Sequence, residues 1–241
     1  MPKQLLLLFL ALTGYAAVAQ NTPADTSFNQ VAMHNAVTNY HHYTDRQSRL
    51  FNGVEFFGYS PKIEGIPYYL ENTWQRGRIV YDGITFDTVQ MMYDIVKDRV
   101  VILHFNNFFR VSLFSDKVQS FSVMGHQFIR IERDSLRRSP LTTGFYDQLY
   151  TGPTSVLSKR SKIIEETVKE TLERKFLEQY SYYVFKDGSY HTVRTQKGLL
   201  SLLKDHAREV KQHLRKNKIK FRKDKENAIV QAAIHYDSLK H

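Results

Sequence analysis

The sequence predicts an α+β protein: an antiparallel β-meander, half-barrel or sandwich-like, followed by a C-terminal helical pair. Three observations carry this. Asn52-Gly53, Asp82-Gly83 and Asp187-Gly188 sit between short runs rich in Val, Ile, Phe and Tyr, and such pairs supply the positive φ values of type I′ hairpin turns. Between Arg78 and Ile131 these runs follow one another too closely for the crossover helices of a parallel sheet. After Thr195 the apolar residues recur at helical rather than alternating spacing.

Taken in chain order, the first segment is an export signal. Lys3 supplies a positive start, residues 5–12 an apolar run, and Ala17-Val18-Ala19 a small-x-small cleavage pattern. The run is too short to span the roughly 30 Å hydrocarbon core of a bilayer. Cleavage near Ala19 therefore leads to a soluble, exported protein, periplasmic or extracellular, with no transmembrane segment. Residues 20–46 are polar and without a sustained period, and read as a lead-in segment. His41, His42 and Asp45 form a small cluster there, read as exposed polar residues.

Residues 47–195 read as the β-rich domain. Its expected strands include 78–81, 84–86, 88–93, 99–105, 108–114, 117–124, 127–131, 144–150, 154–160, 182–186 and 190–194. Thr151-Gly152 is a further expected turn, and Asn106-Asn107 a weaker one. Near 161–178 a helix is favoured, because Ile163, Ile164, Thr167, Val168, Thr171, Leu172 and Phe176 share a helical face, although the β-branched content of the stretch also suits a long strand. Residues 196–241 read as the basic helical pair packed on the β domain. Leu199, Leu203, Ala207, Val210 and Leu214 make the stripe of the first helix, which Asn217 ends. Asp224 caps the second, which presents Ile229, Ala232, Ala233 and Tyr236.

Several of these segments carry a resemblance. They are Tyr81-Asp82-Gly83 with Phe86, Gly144-Phe145-Tyr146 with Leu149-Tyr150 and Gly152, and Phe185-Lys186-Asp187-Gly188 with Tyr190. With them goes the tail from Ile219-Lys220-Phe221 through Lys223-Asp224 to Tyr236. Together they resemble a family of signal-peptide-bearing bacterial proteins with no known activity. The resemblance implies export, implies no activity, and carries over no functional residue.

Charge is the main compositional anomaly. The chain of 241 residues carries a formal net charge of +10 and no cysteine. The lack of thiols excludes disulfide frameworks, zinc-thiolate sites and thiol nucleophiles. From Lys204 to Lys225 there are ten lysines and arginines against Asp205, Glu209 and Asp224, a net of +7. Arg215, Lys216, Lys218, Lys220, Arg222 and Lys223 are the candidate polyanion-binding residues of this run. In an exported protein the expected partners are anionic lipid, acidic glycan or another envelope protein, and not DNA.

Other patterns are weaker. His206, Glu209 and His213 share a helix face but lack metal-binding spacing, and read as helix-surface pairs; no metal site follows from them. Ser201 and Lys204 match S-x-x-K without the companion motifs of penicillin-recognising enzymes. No nucleotide, calcium or cofactor fingerprint occurs, and no cofactor is expected. Tyr81, Phe86, Tyr93, Phe105 and Phe121 are the candidate lining of a ligand groove on the concave side of the sheet. Phe56, Phe57, Tyr59, Tyr68, Tyr69 and Trp74 form a second aromatic-rich stretch.

The leading functional expectation is a non-enzymatic binding or scaffolding module of the cell envelope. A hydrolase acting on glycan or peptide through two paired carboxylates, drawn from Glu55, Glu64, Glu71, Asp82, Asp87, Asp94 and Asp98, is the first alternative. Polyanion or anionic-lipid binding by the basic helices is the second.

Overall fold

A computed structural model of the chain describes residues 30–33, 35–36, 49–133, 139–168 and 171–240. The signal segment and the His41, His42 and Asp45 cluster lie outside the described residues. The chain divides into two units, Met1–Asp45 and Arg46–His241. Of the first, residues 30–33 and 35–36 are helical and exposed.

The second unit is α+β, its described residues forming eleven strands in a single antiparallel sheet. They are β1 (Gly53–Glu55), β2 (Gln75–Tyr81), β3 (Ile84–Asp94), β4 (Arg99–Leu103), β5 (Arg110–Leu113) and β6 (Val118–Val123), then β7 (His126–Ile131), β8 (Gly144–Tyr150), β9 (Val156–Val168), β10 (Leu172–Lys186) and β11 (Ser189–Val193). The spatial order is β1-β5-β4-β3-β2-β6-β7-β8-β9-β10-β11. Asp82-Gly83 and Asp187-Gly188 turn their hairpins with both residues at positive φ, as the type I′ geometry demands. Met124-Gly125 does the same between β6 and β7 without an Asn or Asp to announce it. Asn52-Gly53 and Thr151-Gly152 are not such turns. The first links a 3₁₀ turn (Arg49–Phe51) to β1, and the second falls in the β8–β9 connection.

The sheet curls, and the connection between β5 and β6 shows why. Residues 114–117 alone join these strands, although β4, β3 and β2 lie between them. A flat sheet with strands about 4.8 Å apart would require a span of roughly 19 Å. A linker this short reaches about 17 Å only when fully extended, and this one winds into a 3₁₀ turn at Ser115–Lys117. The curl encloses the first core, made of Ile79, Tyr81, Met91, Tyr93, Ile102, Phe121, Phe128 and Phe145 among others, all at most 2% exposed. Phe121 and Phe128 stack with ring centroids 4.8 Å apart.

The expected helix near 161–178 is instead the outer part of the β9–β10 hairpin. Its β-branched residues suit a strand, and opposite charges face each other across the ladder, Arg174 with Glu166 and Lys175 with Glu165. Val168 is 81% exposed and Leu172 51%. The helical stripe read there had no core to face.

The C-terminal segment has three helices rather than two: α1 (Gln196–Leu202), α2 (Ala207–Lys216) and α3 (Lys225–Ser238), with a 3₁₀ turn at Lys204–His206 between the first two. Thr195 caps α1 through its side-chain oxygen, Asp224 caps α3 by accepting from the Asn227 amide, and Asn217 ends α2. Leu199, Leu203, Val210 and Leu214 are buried with Ile229, Ala232, Ala233 and Tyr236 against Val156, Tyr182, Val184 and Val193 of the sheet, forming the second core. No helix among the described residues is long and apolar enough to cross a membrane.

Candidate functional site

Burying the apolar stripe of α1 and α2 turns the basic residues outward. Arg215, Lys216, Lys218, Lys220, Arg222 and Lys223 are all exposed. None of them enters an ion pair between described residues. Two of the three acids of the run, and the neighbouring Glu226, are occupied elsewhere. Asp205 accepts from the Tyr236 hydroxyl at 2.5 Å and pairs with Lys186 at 3.2 Å and Lys240 at 3.4 Å. Asp224 caps α3, and Glu226 is held by Arg160. The six cations thus have no ion-paired counter-charge among the described residues.

A second group lies beside them. Lys197, Lys204 and Lys211 line an open groove of about 480 Å³ with Gln196, Leu200, Ser201 and Ala207. The sequence reading did not single them out; their spacing of seven residues, two helical turns, is the signal that could have found them. Ser201 and Lys204 of the S-x-x-K match both sit in this groove and are exposed.

Below the helices lies a buried charge cluster that no sequence pattern revealed. Arg160 of β9, 3% exposed, donates to Asp147 of β8 through Nε at 3.0 Å and Nη2 at 2.5 Å. It also donates to Glu226 in the first turn of α3, at 2.6 and 3.0 Å. Its guanidinium lies over the rings of Tyr180 and Tyr69, at 4.9 and 5.6 Å. Burial alone would lower the Arg160 pKa, but Glu226 and Asp147 outweigh it and hold the group charged. Burial pushes the Tyr182 hydroxyl, beside Glu226, up to about 12.

His126 completes the cluster, its Nδ1 2.8 Å from Asp147 Oδ2. A carboxylate on Nδ1 orients an imidazole as it does in hydrolytic triads. Among the described residues, however, no hydroxyl bonds the other ring nitrogen. The cluster staples α3 to β8 and β9. Asp147 Oδ1 and Ser158 Oγ, at directly paired positions of β8 and β9, are buried without a hydrogen-bond partner among the described residues.

A pocket of about 200 Å³ opens at the other end of α3. Pro153 and Thr154 of the β8–β9 connection, Lys186 and Asp187 of the β10–β11 turn, and Tyr236, Asp237 and Lys240 form its wall. Asp237 Oδ2 accepts from the Tyr150 hydroxyl and the Thr154 amide, both at 3.0 Å. Its Oδ1 is buried and has no hydrogen-bond partner among the described residues. Lys186 Nζ donates to the Leu202 carbonyl at 3.0 Å and to Asp205 at 3.2 Å.

The proposed groove lining is dispersed. Tyr81, Phe86, Tyr93 and Phe121 are at most 6% exposed and belong to the first core, where each ring meets other side chains. Phe105 stands apart near the β4–β5 turn, 41% exposed, against His104 and Phe51. The sheet carboxylates are likewise separated by role. Glu55, Glu64, Glu71, Asp82 and Asp87 are exposed. Asp94 is fully buried and accepts from Tyr59, Val96 and Lys97, while burial raises its pKa. Asp98 accepts from Tyr93 at 2.6 Å and pairs with Lys159 at 2.5 Å. Among the described residues no three His, Asp or Glu side chains are grouped to hold a metal ion. His213 instead stacks on His235 with centroids 4.1 Å apart. Comparison with protein-family models, with curated proteins and with solved structures finds no match for the chain.

Proposed function

We propose that the protein is an exported, non-enzymatic binding module of the cell envelope whose helical end lies against anionic lipid head groups. The observation that carries this is the set of six exposed cations on α2 and the turn after it, none of them ion-paired to a described residue. Lys197, Lys204 and Lys211 extend the same charge onto the neighbouring groove. Each Lys or Arg near an anionic leaflet contributes about 1 kcal/mol, so six of them suffice for reversible attachment. A broad run of helix and turn, rather than a narrow cleft, suits a flat charged surface. The signal pattern at residues 3–19 supports export.

The test is co-sedimentation with vesicles of mixed phosphatidylglycerol and phosphatidylcholine against vesicles of phosphatidylcholine alone. The expected result is binding to the anionic vesicles only, weakened by added salt. Replacing Arg215, Lys216, Lys218, Lys220, Arg222 and Lys223 with Gln should abolish it without altering the circular dichroism. Equal binding to neutral vesicles, or an unaffected variant, overturns the proposal. Retention on heparin without vesicle binding replaces the lipid by an acidic glycan.

A further inference from the structure

We infer that the His213–His235 pair makes the attachment to anionic lipid proton-dependent, so that acidification strengthens it. This rests on the lipid reading above and adds its regulation. The two rings stack across the interface of α2 and α3, with centroids 4.1 Å apart and planes within 14° of parallel. Both residues are half-buried. His213 stands two residues before Arg215 and three before Lys216, inside the run that carries the exposed cations. Histidine is the side chain whose charge ordinarily changes between pH 5 and pH 8. Each proton taken up here adds to the positive charge presented to the leaflet.

The charges around the pair are few. On α2, Glu209 lies one turn before His213 and Lys216 one turn after, and the Asn217 side-chain nitrogen is 3.3 and 3.4 Å from the two ring nitrogens. On α3 the residues one turn from His235, namely Gln231, Ala232, Ser238 and Leu239, are uncharged. Burial, and then the charge of His213, lower the His235 pKa, while Glu209 raises it; no group of the sheet or of α1 among the described residues adds to these. Glu209 offsets one proton, but two cations at ring-stacking distance repel each other. An anionic surface reverses that balance, because its potential favours every positive charge added within a Debye length. By linkage, lipid and protons then each strengthen the binding of the other.

The stack does not suit a metal ion instead. Parallel rings set their nitrogen lone pairs side by side rather than toward one point, and no third ligand is grouped with them among the described residues.

The test is co-sedimentation of the full chain with phosphatidylglycerol-containing vesicles at pH 7.5 and pH 5.5, at fixed ionic strength. The phosphodiester keeps its charge over this range, so any change belongs to the protein. Wild-type binding should tighten at least about fivefold at the lower pH, the factor equivalent to roughly 1 kcal/mol for one charge added near an anionic leaflet. Replacing both histidines, His213→Gln with His235→Gln, should remove the gain. Equal wild-type affinity at both pH values, or a gain retained by the double variant, overturns the inference and leaves the lipid reading standing; no binding at either pH overturns both. A second measurement needs no lipid. In the free protein the His235 imidazole titration, followed by NMR, should move to higher pH in His213→Gln. An unmoved midpoint shows that the rings are not coupled, and overturns the inference as well.

Discussion

Arg160 of β9 and Glu226 of α3, 66 positions apart in the chain, meet through hydrogen bonds of 2.6 and 3.0 Å. Because the same guanidinium also grips Asp147, one side chain joins two strands to the helical layer. Removing Arg160 leaves the buried Asp147 carboxylate with only His126 beside it among the described residues. Arg160→Ala is expected to destabilise the fold by about 3–5 kcal/mol. Arg160→Lys should restore only part of this, since one ammonium cannot fork to two carboxylates. Urea denaturation of the three proteins checks the order.

Asp205 predicts how stability responds to acid. The Tyr236 hydroxyl, and then Lys186, hold its pKa well below the ordinary 3.8. Its contribution is therefore complete above pH about 4 and is lost as pH falls below the unfolded value. Asp205→Asn should flatten this acid limb in thermal melts recorded between pH 5 and pH 2.

Asp94 has the opposite sign. Burial raises its pKa above 3.8 in the folded protein, so folding favours its protonated form. Its contribution to stability is present below the unfolded pKa and declines as pH rises through the folded one. Asp94→Asn keeps an acceptor for the Val96 and Lys97 amides. It should narrow the stability difference between pH 4 and pH 7, as measured by denaturant midpoints.

Gly77 of β2 has no room for a side chain. A Cβ there would run into the Ser122 carbonyl of β6 and the Met91 thioether. The obstacle is backbone, so it cannot swing away. Gly77→Ala is expected to cost about 1–3 kcal/mol, whereas Gly125→Asn, in an open turn where Asn tolerates positive φ, should cost far less. Paired chemical denaturation curves decide this.

The hairpin turns at Asp82-Gly83 and Asp187-Gly188, the buried stripe from Leu199 to Leu214 and the Asp224 cap were all legible in advance. Each is a local rule, in which neighbouring residues carry their own geometry. The exposure of Arg215 and Lys216 was legible for the same reason, since a helix with one apolar face must turn its charges outward, and Lys218, Lys220, Arg222 and Lys223 follow on the turn after it. Residues 161–178 were misread because a two-stranded ribbon without a core places no demand on periodicity. Met124-Gly125 escaped notice because nothing in its first residue favours positive φ.

The charge clusters were not legible at all. His126, Asp147, Arg160 and Glu226 lie on four separate elements, at spacings that signify nothing along the chain. Asp237 and Lys186 likewise line one pocket only because the end of α3 lies by the β10–β11 hairpin. Alternation, turn chemistry and charge density settled the class of fold and the side that faces outward, because they act over a few residues. The identity of every buried ionic partner, and the pocket with its unsatisfied carboxylate oxygen, came from strand register and sheet curl, which bring together groups that one-dimensional spacing keeps apart.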